Sequence, residues 1–179
     1  MNAQVGSVIF DTNTLVNFAV VDRLDLLEVH YGYRALWTET VEVELQRGVS
    51  QEPKIRDILT ANWLGDPVEI LVTPDENREI DRIRRALGGT ASLPLQHLGE
   101  AEIIFYMENR APGAILITDD MPALDFAKNK GLTAINTANV LGECYSYSEI
   151  GCPHAYELLV EMRNKGRGVR VPADHSSVC

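Results

Sequence analysis

Ser7-Val8-Ile9-Phe10-Asp11-Thr12-Asn13-Thr14 and Ala114-Ile115-Leu116-Ile117-Thr118-Asp119-Asp120 have the same construction: a short apolar run, then an acid, then residues able to cap a helix. A run with no polar alternation suits a strand buried on both faces. The acid at its end marks the point where the chain leaves the sheet. In open α/β sheets ligands sit outside the carboxyl ends of the strands, so Asp11, Asp119 and Asp120 are placed where chemistry is expected.

Working outward from these two runs, strands and helices alternate. Thr12 to Thr14 offer caps for a helix through Leu15, Val16 and Phe18, and a second helix is predicted from Asp22 toward His30. Arg34 to Trp37 reads as a strand. Thr38 to Thr40 cap a helix to about Arg47, which Gly48 stops, and Glu52 to Trp63 reads as a further helix. Val68 to Val72 is a strand candidate at an edge. Asp75 to Leu87 has surface-helix spacing, with Ile80, Ile83 and Leu87 on one side. After a loop over 88–98 come a helix from Gly99 to Asn109, the strand over 114–118, a helix to Lys130, a short strand from Thr133 to Ile135 and a helix from Thr137 to about Tyr145. Pro153 opens a last helix to Asn164, followed by a basic, irregular tail from Lys165. This order predicts an α/β protein, a three-layer α/β/α sandwich with a central, mostly parallel sheet of four to five strands. Residues 1–147 form the core domain, and 148–179 add a helix and basic tail.

A length of 179 residues suits one hydrophobic core, and no stretch approaches the roughly 18 uninterrupted apolar residues of a membrane span. Met1 to Val8 lacks a basic cluster followed by an apolar run, which places the chain in the cytoplasm. Cys144, Cys152 and Cys179 have irregular spacing and read as free thiols in a reducing compartment. The net charge of −10 excludes nucleic-acid binding through a broad basic surface. A phosphate ligand must therefore be met locally, by bound cations that invert the sign of an acidic pocket.

Two glutamates join the strand-end aspartates. Helical spacing puts Glu44 beside Val41, Leu45 and Gly48 and so turns it inward, while Glu42 shares a face with Gln46. Glu100 aligns with Ile103, Ile104 and Met107 in the first turn of its helix; Glu102 aligns with Tyr106 and is expected to face solvent. At Asp119 and Asp120 the structural role is helix capping, worth roughly 0.3 to 1 kcal/mol. Asp11 lacks that explanation, because Thr12 or Asn13 can cap the helix after it. Several carboxylates on one crevice repel one another unless a cation neutralises them. Oxygen-only donors select hard cations, Mg²⁺ or Mn²⁺, and the chemistry such a site suits is phosphodiester hydrolysis.

Val8 to Val16 resembles the opening motif of PIN-domain nucleases, in which an Asp ending the first strand is followed by Thr or Ser and often Asn. Val41-Glu42-Val43-Glu44-Leu45 is similar to the family's second acidic position, Leu98-Gly99-Glu100-Ala101-Glu102 to the third, and Leu116-Ile117-Thr118-Asp119-Asp120 to the last strand motif. The four motifs stand in the family's order from Val8 to about Val140. The third acid is Glu100 where many toxins of the family carry Asp, and the segment after Ser148 extends past the common core. The resemblance implies a Mg²⁺- or Mn²⁺-dependent endonuclease of single-stranded RNA, often the toxin of a toxin–antitoxin pair and commonly a homodimer. Single-stranded RNA, an antitoxin protein and a second copy are thus its implied partners.

On this reading Asp11, Glu100 and one or both of Asp119 and Asp120 hold the metal, with Glu44 completing the set directly or through water. Asn13 and Thr118 hold the carboxylates in place. Arg82 and Arg85, with Arg78, Arg84 and the tail residues Lys165, Arg167 and Arg170, are candidate substrate contacts. His97 and His154 read as ordinary loop and helix-start residues, and Trp37 and Trp63 as core. The rival readings are an aspartyl-nucleophile phosphatase, which needs an acid where Asn13 stands, a non-catalytic RNA- or protein-binding module on the same fold, and an RNA-processing nuclease outside any toxin system.

Overall fold

The computed structural model describes residues 6–179. Most of the Met1 to Val8 stretch searched for an export signal lies outside these residues. The sheet consists of β1 (Val8–Phe10), β2 (Ala35–Leu36), β3 (Ile115–Ile117) and β4 (Thr133–Ile135), all parallel, in the order β2-β1-β3-β4. β1 and β3 pair in the centre, Val8 opposite Ile115 and Phe10 opposite Ile117. Successive strand side chains point to opposite faces, and Val8, Ile9 and Phe10 are 0, 1 and 0% exposed, so both faces of β1 are covered. That is why both central strands carry apolar runs. The architecture is the α/β/α sandwich predicted, with four strands.

Helices α1 (Thr12–Val20), α2 (Leu24–Tyr31), α3 (Glu39–Gly48), α4 (Ile55–Leu59), α5 (Pro74–Ala86), α6 (Leu98–Asn109), α7 (Met121–Asn129), α8 (Thr137–Ser146) and α9 (His154–Asn164) surround it. The capping residues set their starts: Asp11 accepts from Thr14 N, Thr38 from Val41 N, Asp120 from Ala123 N and Asn136 from Asn139 N. Asp11 is therefore itself the cap of α1, the role that the sequence suggested for Thr12 or Asn13. α6 is almost wholly enclosed, with Ala101, Ile103 and Ile104 at 0% exposure. Trp37 is buried, its Nε1 donating to Gly65 O at 3.0 Å, and Trp63 packs edge-on against Phe10.

Several expectations are corrected. The strand over 68–72 reduces to one bridge between Val68 and Thr38; Val68 and Ile70 still rest against the core, but Leu71 and Val72 beyond them are exposed and the pairing stops. The helix over 52–63 breaks into α4 and a 3-10 turn at Asn62–Leu64, where Ala61 is extended and Thr60 Oγ1 bonds back to Arg56 O at 2.9 Å. Cys152 and Cys179 form a disulfide, their Cα atoms 5.8 Å apart, and only Cys144 is a buried free thiol. Spacing alone could not show this, because the chain has to turn back after α9 to bring the two together. The disulfide also withdraws the thiol argument for a reducing compartment. Among the described residues, no helix is long and apolar enough to cross a membrane.

α9 packs on α8 and α1. Its end is fixed by a reversal at Gly166 (φ +80°): Gly166 N donates to Arg163 O at 2.9 Å and Arg167 N to Met162 O at 3.0 Å. These are the two bonds of a Schellman motif, which needs a left-handed residue where the glycine stands.

Candidate active site

The parallel order places the carboxyl ends of β1 and β3 side by side, and the next residues of each strand carry the acids. Asp11 is 2% exposed. Its Oδ1 accepts from Thr14 N at 2.7 Å and its Oδ2 from Thr118 Oγ1 at 2.6 Å, a bond from the neighbouring strand end. Thr14 Oγ1 donates to Ile117 O at 3.1 Å, fastening α1 to β3. Burial pushes the Asp11 carboxyl up to about 7, against the opposing pull of the Thr118 and Thr14 bonds and with added repulsion from Asp119.

Asp119 and Asp120 diverge from adjacent positions. Asp119 turns to α1 and α8: Asn17 Nδ2 donates to Oδ2 at 2.8 Å, Thr137 N donates to Oδ1 at 3.2 Å, and Thr137 Oγ1 donates to Oδ2. Burial raises its pKa and these bonds counter the rise. Asp120 caps α7 through Oδ1, at 2.7 Å from Ala123 N, while its backbone N donates to Thr118 Oγ1 at 3.1 Å. Its Oδ2 lies 3.7 Å from His97 Nδ1. Thr118 is therefore bonded to both Asp11 and the backbone of Asp120.

Glu100 stands in the first turn of α6, its carboxyl pushed up to about 7 by burial and then by the charges of Asp120 and Glu44. Glu44 reaches the same crevice from α3 and accepts from Thr12 Oγ1; burial raises its pKa. The first turn of α6 comes so close that a Cβ on Gly99 would stand 3.2 Å from Glu44 Oε1, so a side chain there would press on the carboxylate. A pocket of about 260 Å³ beside Glu44 is lined by Thr40, Arg47, Leu95 and Leu98 among others.

Asp11, Glu44, Glu100, Asp119 and Asp120 thus gather at one end of the sheet, in two linked groups: Asp11 with Asp119, and Glu100 with Asp120 and Glu44. Asn13 is not among their partners. It is exposed, and its Oδ1 accepts from Arg167 Nη2 at 3.0 Å. The bonds expected of Asn13 are made by Thr12, Thr14 and Asn17, because these α1 positions face the crevice. Glu102 is also corrected: it is not turned to solvent but accepts from Thr40 Oγ1, and burial raises its pKa. Arg82 pairs with Glu79 and Arg85 with Asp81 on their own helix, both arginines exposed on a groove of about 660 Å³ that also reaches Leu98. Arg84 is buried and holds the following loop through Thr90 O and Leu93 O at 3.1 and 3.2 Å, so it is not free for a substrate.

His97 is the residue that sequence reasoning passed over. It sits in left-handed conformation (φ 58°) just before α6, and ligand atoms of His97, Glu100 and Asp120 all lie within 4.8 Å of one another. Its position three residues before Glu100 at the start of a helix was the available signal.

A family model described as a PIN domain matches residues 7–177, so the match runs through α9 and most of the tail. No curated protein and no solved structure gives a significant match. PIN domains are in general nucleases, hydrolases acting on phosphodiesters. With a parallel sheet in the order β2-β1-β3-β4, acids at the ends of its central strands and a family match over nearly its whole length, the chain belongs to the PIN-domain family.

Proposed function

We propose that this chain is a metal-dependent endoribonuclease that hydrolyses single-stranded RNA at the crevice formed by Asp11, Glu44, Glu100, Asp119 and Asp120. The observation that carries the reading is the gathering of these acids at one end of the sheet, with Asp11 2% exposed beside Asp119 and half-buried Glu100 beside Asp120 and Glu44, where burial pushes the Asp11 and Glu100 carboxyls up to about 7. Such a cluster is costly as anions without a compensating charge, and its carboxylate oxygens suit Mg²⁺ or Mn²⁺, with the His97 imidazole beside Glu100 and Asp120 as a nitrogen donor within reach.

In this proposal Asp11, Asp119, Glu100 and Asp120 hold the cation or cations, and Glu44 completes the set. When bound, the metal supplies Lewis-acid polarisation of the phosphodiester and activation of water. Thr118 keeps Asp11 in register with Asp120, Asn17 and Thr137 orient Asp119, and Thr12 orients Glu44. Arg82 and Arg85 are offered as substrate contacts because their groove and the pocket beside Glu44 share Leu98 in their walls. Membership of a toxin–antitoxin pair and a homodimeric state belong to the same proposal, taken from the family; cytoplasmic residence belongs to it on the Met1 to Val8 reading alone, since the disulfide removes the thiol argument.

The test is cleavage of end-labelled single-stranded RNA by the purified chain. Cuts in the presence of Mg²⁺ or Mn²⁺ that stop with chelator and return with metal are expected. Equal cleavage with and without chelator contradicts metal dependence, and no cleavage with either metal contradicts the nuclease assignment.

A further inference from the structure

The chain carries a net charge of −10, and its proposed site gathers five acids, yet a substrate there is a polyanion. Arg167 stands at the rim of the Asp11–Asp119 group and, among the described residues, forms no ion pair with a carboxylate in direct contact. Arg167 Nε donates to Asn17 Oδ1 at 2.8 Å and its Nη2 to Asn13 Oδ1 at 3.0 Å. The two asparagines are one turn apart on the same face of α1. Asn17 passes the contact on, its Nδ2 donating to Asp119 Oδ2 at 2.8 Å. Asp11, Glu52 and Asp119 all act electrostatically on the guanidinium.

The backbone delivers this side chain with little freedom. The Schellman reversal at Gly166 turns the chain from α9 across α1, and Lys165 Nζ, from the residue before the reversal, donates to Val20 O at the end of α1 at 2.6 Å. Val169 is buried two residues after Arg167. Beyond it Tyr156 Oη donates to Pro172 O at 3.3 Å and the Cys152–Cys179 disulfide returns the tail to the start of α9. A guanidinium has five N–H donors in a rigid fork that suits phosphate bidentately. The two bonds to asparagine carbonyls use neutral acceptors, so the positive charge is positioned without being neutralised by a contacting carboxylate.

We infer that Arg167 is a substrate-binding residue of this crevice, held by Asn13 and Asn17 to take a backbone phosphate of the RNA beside the acids. This role rests on the RNA reading of the site and adds a residue from the C-terminal segment to it. That segment thereby acquires a function, since α9 and its reversal carry a positive side chain into the negative field on the α1 side.

The experiment measures binding apart from cleavage. Asp11→Asn protein, with Mn²⁺ present, is titrated into a fluorescein-labelled single-stranded RNA of mixed sequence at several salt concentrations, alone and combined with Arg167→Gln or Arg167→Lys. Arg167→Gln is expected to weaken binding about ten-fold and to reduce the slope of log affinity against log salt by about 0.7, the value for one phosphate contact on a single strand. Arg167→Lys keeps the charge and is expected to keep the slope while losing part of the affinity. Unchanged affinity and slope in Arg167→Gln overturn the inference. So does an affinity loss with an unchanged slope, which assigns Arg167 to orienting Asn17, and so does a parent protein that binds no RNA. Thermal melting reports the fold of each variant, and Arg167→Met, which also removes the charge, carries the comparison if Arg167→Gln melts early. Wild-type protein that binds RNA through Arg167 but cuts none overturns the nuclease reading and leaves this inference standing.

Discussion

Asp11→Asn is expected to lower kcat/KM on single-stranded RNA by more than about 100-fold while leaving the fold in place. Partners that merely orient a metal ligand typically cost about 10- to 100-fold when removed, so a residue proposed to bind the cation itself should exceed that range. The substitution is unusually clean. Asn matches Asp in shape and equals it as an N-cap, so Thr14 N, 2.7 Å from Asp11 Oδ1, keeps an acceptor. Thr118 Oγ1, which donates to Oδ2 at 2.6 Å, can turn to accept from the new amide. What disappears is the negative charge. Single-turnover cleavage with thermal melting as control reads the effect; equal rates for the two proteins would remove Asp11 from the mechanism.

The second large effect is on stability. Asp11 and Glu100 have folded-state pKa values of about 7 against ordinary values of 3.8 and 4.5. Between those limits the folded protein holds protons that the unfolded chain has released. Stability of the metal-free protein must then fall as pH rises from about 4 to about 7, and the loss is complete above that window. Each pKa unit corresponds to about 1.4 kcal/mol. Glu100 is partly reached by solvent, so its share is screened, and Glu44, Glu102 and Asp119, which burial also raises, add to the loss in the same direction. A loss on the order of a few kcal/mol is expected. Glu76, Asp81 and Asp174, whose pKa values are lowered by hydrogen bonds, add stability only as pH rises to their ordinary values of 4.5, 3.8 and 3.8, and do not offset the loss above them.

A divalent cation reverses the sign. Bound to the ionised carboxylates it stabilises the folded state by mass action, and at about pH 5 protons compete with it. Melting in chelator is therefore expected to drop from about pH 5 to pH 8, with Mn²⁺ raising the transition far more at the higher pH. A flat or rising transition in chelator would show that the burial of Asp11 is relieved some other way.

The sheet was legible in the sequence because β1 and β3 are buried on both faces and so lack polar alternation, and because acids follow them within a few residues, Asp11 after β1 and Asp119 and Asp120 after β3. Glu44 and Glu100 were legible from helical spacing alone. What could not be read depended on contacts between distant segments. Asn13 and Asn17 are both plausible partners for an acid, and only the direction in which α1 crosses β3 gives Asp119 to Asn17. Glu102 looked solvated until α3 brought Thr40 against it. The tail seemed irregular and free, but Gly166 turns it back over α1 and the disulfide at Cys179 holds it there. The edge segment over 68–72 has strand-like residues, yet one bridge to Thr38 is all the sheet accepts.

Acids from two strand ends and two helices can share this crevice as anions only if one kind of ion reconciles them. Calorimetric titration of Mn²⁺ into chelator-treated protein near pH 8 addresses this directly. Saturable binding is predicted for wild type, weakened about 10- to 100-fold by Thr118→Val, which leaves every carboxylate in place but removes the hydroxyl joining Asp11 to Asp120. No heat of binding for either Mn²⁺ or Mg²⁺ in the folded wild-type protein would contradict it.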